Sequence, residues 1–388
     1  MPPASTETPV LVLGVGPTAL GAARCLGRAG REPYLVTRPG DLAEASRFVH
    51  RRVFHLAESE RSDALLELAD RLGLRRAVVI PCTDEWMKLV CRLPRDSPLV
   101  ASVPPPDVVD LFVDKEHFAS TLERLDIPHP RTVQVSSEAD LDGSLDGMFL
   151  KPRESQIFAR HYHQKAFTFG SRSEAAESFR LMEAIGVGAI LQEYVPGPAT
   201  SHYFIDGFMR RDGTLAALFA RRRIRMFPLE FGNSTLMVSV ALGDIRPAAA
   251  DLERLLTAVG YRGVFSAEFK HDARDGLYKI LEVNSRPWWY VEFAAMCGVD
   301  VCDMAYRDAL DLPVASVDRY RIGRRCVFLP QDVRAYRAIR RSQRLSFLSW
   351  VFSWLGARRT VFAYDDPLPA LALPLVVLRR WRRLARER

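Results

Sequence analysis

Lysine is scarce in this chain. Six lysines, at 88, 115, 151, 165, 270 and 279, stand against 48 arginines in 388 residues. Surface charge is met by arginine, so each lysine marks a place where a compact ammonium on a flexible stem is wanted. Four of the six fall in or beside the motifs that carry the candidate site. Cysteine is also spare: the six residues (25, 82, 91, 297, 302 and 326) form no C-x-x-C pair and no metal-ligand spacing. Reduced thiols in a cytoplasmic protein are the expectation. No apolar run reaches the roughly 18 residues of a spanning helix. The start, MPPASTETPVLVLGVG, lacks a basic stretch followed by an apolar one, so no leader is expected. Internal repeats and low-complexity segments are absent too. What is there, 48% hydrophobic and 26% charged residues, suits two or three ordinary globular domains.

The net charge of +7 is unevenly placed. Residues 319–388 hold 17 arginines and four acidic groups, a net of +13, which leaves −6 on the other 318 residues. The same tail carries two apolar stretches, LSFLSWVFSWLGA (345–357) and PLPALALPLVVL (367–378), and the second runs into RRWRRLARER (379–388). Both are too short to span a bilayer, but apolar residues beside arginine and tryptophan suit an interface with anionic lipid. Peripheral membrane contact of residues 345–388 is therefore expected, with a homodimer contact or packing on the rest of the chain as alternatives. No motif for nucleic-acid recognition is present, and no nucleic-acid partner is expected.

Along the chain, PVLVLGVG (9–16) is an apolar strand ending in glycines, followed by an alanine-rich helix. REPYLVT (31–37) and LRRAVVIPCTDE (74–85) give further strands, with helical spacing in SDALLELADRLG (62–73). Strands alternating with helices predict an open parallel sheet with helices on its faces. VPPPD (103–107) breaks this pattern and marks the boundary of the first domain. Beyond it, 114–132 starts as a helix, GMFLKP (147–152) and AILQEYVPG (189–197) are strands, and 171–186 and 245–261 are helical. Residues 202–224 read as two strands joined at Arg211-Asp212-Gly213, and 264–287 as a hairpin turning at Arg274-Asp275-Gly276.

The second strand of that hairpin ends in ILEVNSRPWW (280–289). Glu282, Asn284 and Arg286 alternate, so all three point to one face while Leu281 and Val283 point to the other. The hairpin can set Glu268 against Glu282 with Asn284 nearby. Two carboxylates and an amide oxygen suit Mg²⁺, which keeps some waters and shares its other positions with phosphate oxygens; a solvated face with a simple Glu–Arg pair is the plainer alternative. Lys115 at a helix start and Lys151 at a strand end could supply cations on the far side of a phosphate chain. Gln192, Glu193, Tyr194 and Val195 form a short edge whose backbone can meet a flat purine. Trp288 and Trp289 are expected to pack in a core.

In order, DK (114–115), FLKP (149–152), QEYVPG (192–197), AEFK (267–270) and LEVNSRP (281–287) resemble the landmarks of the ATP-grasp superfamily from Asp114 to about Gly298. Within it, the chain looks most like the ATP-dependent carboligase group, which is similar to D-aspartate ligases and the carbamoyl-phosphate synthetase large chain. The resemblance implies an α/β and α+β architecture: an open parallel α/β (pre-ATP-grasp) domain at 1–106, an ATP-grasp domain at 107–312, and a basic helical C-terminal extension at 313–388. It implies ATP and Mg²⁺, or Mn²⁺ in its place, and a ligase that activates a small-molecule carboxylate as an acyl phosphate and joins it to an amine. A kinase or carboxylase with another acceptor is the alternative within the fold. By the same resemblance, Lys115 and Lys151 would hold the α- and β-phosphates and Lys165 would close over them. Gln192 or Glu193 would take the adenine amino group, and Tyr194 and Val195 would supply hinge backbone. Glu268, Glu282 and Asn284 would bind metal, and Arg286 would be catalytic. The phosphate-covering loop departs from the usual glycine- and serine-rich pattern, since RESQIFARHYHQKAFTFGS (153–171) has one glycine near its end.

Three further signals compete or supplement. LGVGPTALG (13–21) contains G-x-G-x-x-A after a strand, which keeps an NADP-dependent oxidoreductase in view because Arg38 follows the second strand. PCTDE (81–85) lies at the carboxyl end of a strand, where it could hold the non-nucleotide substrate or cap the next helix. ARRRI (220–224) suggests that Arg221 or Arg223 meets the γ-phosphate or the substrate carboxylate, against a solvated arginine run. His161, His163 and His202 receive no role.

Overall fold

The computed structural model describes residues 8–49, 52–56, 62–153, 158, 161–162, 165–342 and 345–386. The first seven residues, on which the expectation about a leader partly rests, lie outside these, as do His163, much of the 153–171 loop and the last two arginine-tail positions.

Five parallel strands form the N-terminal sheet: β1 (Val10–Leu13), β2 (Pro33–Thr37), β3 (Val53–His55), β4 (Ala77–Pro81) and β5 (Leu99–Val100), in the order β3-β2-β1-β4-β5. Every residue of β1 and β4 is buried, as strands covered by helices on both faces require. β3 and β5 are short edges that the sequence pattern did not announce. After β1 the chain turns at Gly14, where a Cβ would come within 2.8 Å of the Cys82 side chain. It then enters the helix Gly16–Arg28, and both carboxylate oxygens of Asp41 accept from the Gly16 N–H, at 3.0 and 2.9 Å. The helix N-terminus that would receive a dinucleotide phosphate is thus already filled by a carboxylate of the chain itself. This is the physical reason to set the oxidoreductase reading aside.

Past the helices Pro106–Val113 and Lys115–Arg124, a small antiparallel sheet forms from β6 (Thr132–Val135), β7 (Met148–Pro152) and β8 (Ala189–Glu193), in the order β6-β8-β7. The helix Arg172–Glu183 covers one face of it, burying Ala175, Ala176, Phe179 and Met182. The larger sheet has seven strands: β9 (His202–Met209), β10 (Leu215–Phe227), β11 (Asn233–Ser239), β12 (Gly263–His271), β13 (Tyr278–Asn284), β14 (Arg325–Val327) and β15 (Arg358–Arg359). Their order is β13-β12-β9-β10-β11-β14-β15. One face of this sheet packs on the helix Arg246–Ala258 through Ala248, Leu252, Leu255 and Leu256. At Gly207 the β9 backbone passes so close to β10 that a Cβ would sit 2.2 Å from the Ala217 carbonyl oxygen.

The helices Val291–Cys297 and Val301–Ala309 return to the N-terminal sheet and share one core with the helix Gly16–Arg28. The C-terminal residues then fold back over the whole. Asp332, on the helix Leu329–Ile339, is fully buried and accepts from Arg225 (3.0 and 2.8 Å), Thr235 Oγ1 (2.7 Å) and Trp350 Nε1 (2.8 Å). Asp366, also fully buried, accepts from Arg24 Nε (2.9 Å), Ser46 Oγ (2.8 Å) and the Arg47 N–H (2.9 Å). Of the alternatives open for the tail, packing on the rest of the chain therefore holds around Asp332 and Asp366. Among the described residues, no helix is long and apolar enough to cross a membrane.

Candidate nucleotide and metal site

The β12–β13 hairpin sets Glu268 directly opposite Glu282, and Ser266 opposite Asn284, with the register shifting just after Glu268. The alternation read in the sequence is real, and the structure shows what satisfies it. Asn284 Nδ2 donates to Glu282 Oε1 at 3.2 Å, and Arg286 Nη2 donates to Asn284 Oδ1 at 3.2 Å. Arg286 then makes a two-pronged pair with Asp84, Nε to Oδ1 at 2.6 Å and Nη2 to Oδ2 at 3.0 Å. Burial works against the guanidinium's charge, but Asp84 outweighs it and the pKa of Arg286 lies above its ordinary value. Asp84 comes from the PCTDE segment, whose Thr83 caps the helix Asp84–Val90 by accepting from the Trp86 N–H. One residue of that segment caps a helix, and the next reaches across to the grasp strands.

Glu282 is exposed, whereas Glu268 is held from the other side. Its Oε1 accepts from His202 Nδ1 at 2.8 Å and from Arg223 Nη2 at 2.9 Å. Burial would push the Glu268 carboxyl up; the neighbouring Arg223 and His202 outweigh it and hold it well below the usual carboxylate range. An ionised acceptor fixes the tautomer of His202, whose proton sits on Nδ1. Burial in turn lowers the pKa of His202, against the opposing pull of Glu268.

Facing this end is a group of cations. Lys151, on β7, lines the cleft, and burial lowers its pKa while Glu282 and Glu268 raise it in part. Lys165, which also lines the cleft, donates from Nζ to Asn233 Oδ1 at 2.7 Å. Lys115 does not line the cleft wall; it sits behind, donating to the carbonyls of Pro152 (2.7 Å) and Arg153 (2.6 Å). An ammonium has three donors, so one proton remains beyond those two carbonyls. Burial, with the like charge of Lys151 added, lowers Lys115 to about 7.

The edge 192–195 also lines the cleft. Gln192 Nε2 donates to Thr132 Oγ1 at 3.1 Å. Glu193 Oε2 accepts from the Arg131 N–H at 3.1 Å, and its other oxygen pairs with Arg274 and, at 3.6 Å, with Lys279. Burial opposes ionisation of Glu193, but these partners keep its pKa low. Both side chains already have protein partners, so the segment meets the cleft chiefly through backbone and through Tyr194. That ring packs edge-on to Phe149 and Phe231, and Lys270 Nζ lies 4.8 Å over its face.

These residues surround one cleft of about 1090 Å³, a volume suited to a nucleotide with a second ligand. Lys151, Lys165, Gln192, Glu193, Tyr194, Val195, Glu268, Glu282, Asn284 and Arg286 all line it. His202 and Arg225, which the sequence reading gave no place, also line it, as do Lys270 of AEFK, Asp84 of PCTDE and Arg38 after the second strand. His202 is opposite Lys270 in the β9–β12 register, so the same alternation that exposed Glu268 could have found it. Of the arginine pair, Arg223 reaches the cleft and Arg221 does not. Arg221 is buried against Asp206 at 2.6 and 3.1 Å, with the Phe204 ring 4.0 Å away. Trp288 is buried and Trp289 packs on Phe328, so both belong to the core.

A five-stranded parallel sheet, a small antiparallel sheet and a larger one enclosing a lysine- and carboxylate-lined cleft define the ATP-grasp fold, and the chain has it. No family model matches the chain. It is 21% identical over 250 residues to the D-aspartate ligase of Enterococcus faecium, covering 60% of this chain and 59% of that protein. The chain thus spans about three fifths of the length of that curated relative. Among solved structures it is similar to the L-amino acid ligase of Bacillus licheniformis, with a TM-score of 0.60 and 14% identity over 78% of this chain and 74% of that one. It is also similar to carboxyaminoimidazole ribonucleotide synthase from Aspergillus clavatus, solved with ATP, with a TM-score of 0.63 and 15% identity over 82% and 80% of the two chains.

Proposed function

We propose that the protein is an ATP- and Mg²⁺-dependent ligase that activates a small carboxylic acid as its acyl phosphate and joins it to an amine. One observation carries the reading: Glu268 and Glu282 oppose each other on one hairpin and share a cleft with Lys151 and Lys165, with Lys115 directly behind. Two carboxylates and an amide oxygen are a hard-oxygen donor set that fits Mg²⁺, or Mn²⁺ equally. When bound, the ion would neutralise phosphate charge from the hairpin side. The work of the chain's own residues is positioning and charge compensation, without a nucleophilic side chain. Lys115, Lys151 and Lys165 hold the phosphates, and backbone at 193–195 with Tyr194 holds the base. Arg223 keeps Glu268 ionised, and His202 orients it. Arg286, steadied by Asp84, stabilises the negative charge that builds on the acyl group as the amine attacks. A kinase or carboxylase would use the same cleft with another acceptor.

The same reading keeps 1–106, 107–312 and 313–388 as its units and places the enzyme in the cytoplasm. It gives residues 345–388 a peripheral contact with anionic membrane, with a homodimer contact as the alternative. The test of the chemistry is incubation with ATP, Mg²⁺, hydroxylamine and a panel of amino and dicarboxylic acids. A hydroxamate formed with one acid, together with ADP, identifies the activated carboxylate. ADP release without hydroxamate from any acid, or no ATP turnover, overturns the ligase.

A further inference from the structure

The helix Phe347–Ser353 has two faces of different use. Inward, Trp350 donates to the buried Asp332 and stacks on Tyr336 at 4.8 Å, while Ser353 Oγ accepts from Arg225 Nη2 at 2.8 Å. Outward, Phe347, Leu348 and Phe352, with Leu355 just beyond, are each about three-fifths or more exposed (59%, 66%, 62% and 66%). Soluble surfaces scatter such residues singly; four within nine positions are a patch. The exposed charges on the chain segments flanking it are of one sign. Arg334, Arg337, Arg340 and Arg341 precede the helix, and Arg358 and Arg359 come after it. Tyr336, between two of these arginines, contacts the Phe347 ring, so the basic helix lies beside the apolar one.

We propose that this face docks on an anionic lipid bilayer. Large apolar side chains flanked by arginines, with no acidic residue from 333 to 364, match a surface with a hydrocarbon boundary and negative headgroups. A second copy of the chain would bring the same arginines together and is disfavoured by that repulsion. The docked helix is not a loose appendage, because its inner face holds Asp332 and Arg225, and Arg225 and Ile339 line the cleft. Contact with the bilayer therefore fixes the orientation of the cleft relative to the membrane. This surface stands independently of the ligase reading, since its test measures no turnover.

The experiment is co-sedimentation of the full chain with phosphatidylcholine vesicles, with and without phosphatidylglycerol. The protein is expected to sediment with the mixed vesicles only and to be released by raised salt, as surface charge attraction is screened. Phe347→Glu with Phe352→Glu should weaken binding at least about tenfold, since two exposed rings are lost and like charge is added. Far-UV circular dichroism should be unchanged, because neither ring is buried. Absence of sedimentation by the wild type overturns the proposal. So does equal sedimentation of the double variant. A wild-type dimer that the double variant turns into a monomer, with no lipid binding by either, assigns the face to a second copy instead.

Discussion

The two metal-side carboxylates should respond differently to the same change. Glu268 lies between Arg223 and His202, and the Arg223 side chain is only 4% exposed. Glu268→Gln keeps the shape and a neutral acceptor but removes the charge. A hydrogen bond to a charged group contributes about 1.5–3 kcal/mol and a neutral one about 0.5–1.5. The exchange therefore costs about 1–2 kcal/mol, and leaving a buried guanidinium without its countercharge brings the loss to about 3. Glu282 is exposed and bonded to the neutral Asn284, so Glu282→Gln should change stability by less than about 0.5 kcal/mol. On the proposed reading both variants lose a metal ligand. Changing a residue that merely supports a ligand costs about 10–100-fold in metal affinity, so both should lose at least that in Mg²⁺-dependent nucleotide affinity. Urea unfolding and titration with a fluorescent ATP analogue at several Mg²⁺ concentrations separate the two effects. If Glu282→Gln retains Mg²⁺-dependent binding, the hairpin is not the metal site. If Glu268→Gln is as stable as wild type, the Arg223 pair does not hold the strand face.

The same contacts set other expectations. Lys115, lowered to about 7, is largely neutral at pH 8 on its own, and a phosphate beside it should restore its charge. ATP binding at pH 8 should therefore take up protons, seen by calorimetry in buffers of different ionisation enthalpy, and Lys115→Met should abolish most of that uptake. The acid limb has the opposite sign. Glu268 is depressed, so its contribution to stability is full above the ordinary glutamate pKa of about 4.3 and is lost as pH falls further. Arg286→Lys cannot keep both bonds to Asp84 and should lower hydroxamate formation by about tenfold or more with little change in ATP affinity. Asp84→Asn should fall between wild type and that variant. Asp332→Ala removes the partner of Arg225 and of Trp350 Nε1 at once, which should cost about 3–5 kcal/mol in urea unfolding.

How much of this could be read from the chain depended on how local the cause was. The β12–β13 hairpin was legible because two alternating strands and a short turn fix their own register, and a one-residue slip would turn Glu282 toward the apolar face. β3 and β5 were missed, having three residues and two, too few for any period to show. Arg221 and Arg223 lie two apart on one strand face, yet only contacts from other strands separate them. Asp206 on β9 draws the first inward, and Glu268 on β12 draws the second to the cleft. The tail was least legible. Arg24 and Asp366 are 342 residues apart, and a pair of that kind leaves no periodic trace. Composition showed a basic, apolar extension; it could not show that Asp332 and Asp366 anchor it inside the protein.

Two places in this chain resemble nucleotide sites, and their charges decide between them. At the glycine turn, the anion position is the Gly16 N–H, which both oxygens of Asp41 already occupy. Burial, with Glu44 adding to it, raises the pKa of Asp41 against the backbone donors that lower it, but a phosphate arriving there would still have to displace a carboxylate or force it to take a proton. At the grasp cleft the imbalance runs the other way. Burial lowers the pKa of both Lys115 and Lys151, the like charge of Lys151 adding to the first and that of Lys165 to the second, and an anion between them and the hairpin relieves that strain. A polyphosphate should therefore bind at the second place and not the first. Inorganic triphosphate with Mg²⁺ should compete with ATP for the protein, whereas NADPH should neither bind nor compete. Saturable NADPH binding that Asp41→Ala strengthens and Glu282→Gln leaves alone would show that the glycine turn is a working site and that this electrostatic reasoning is wrong.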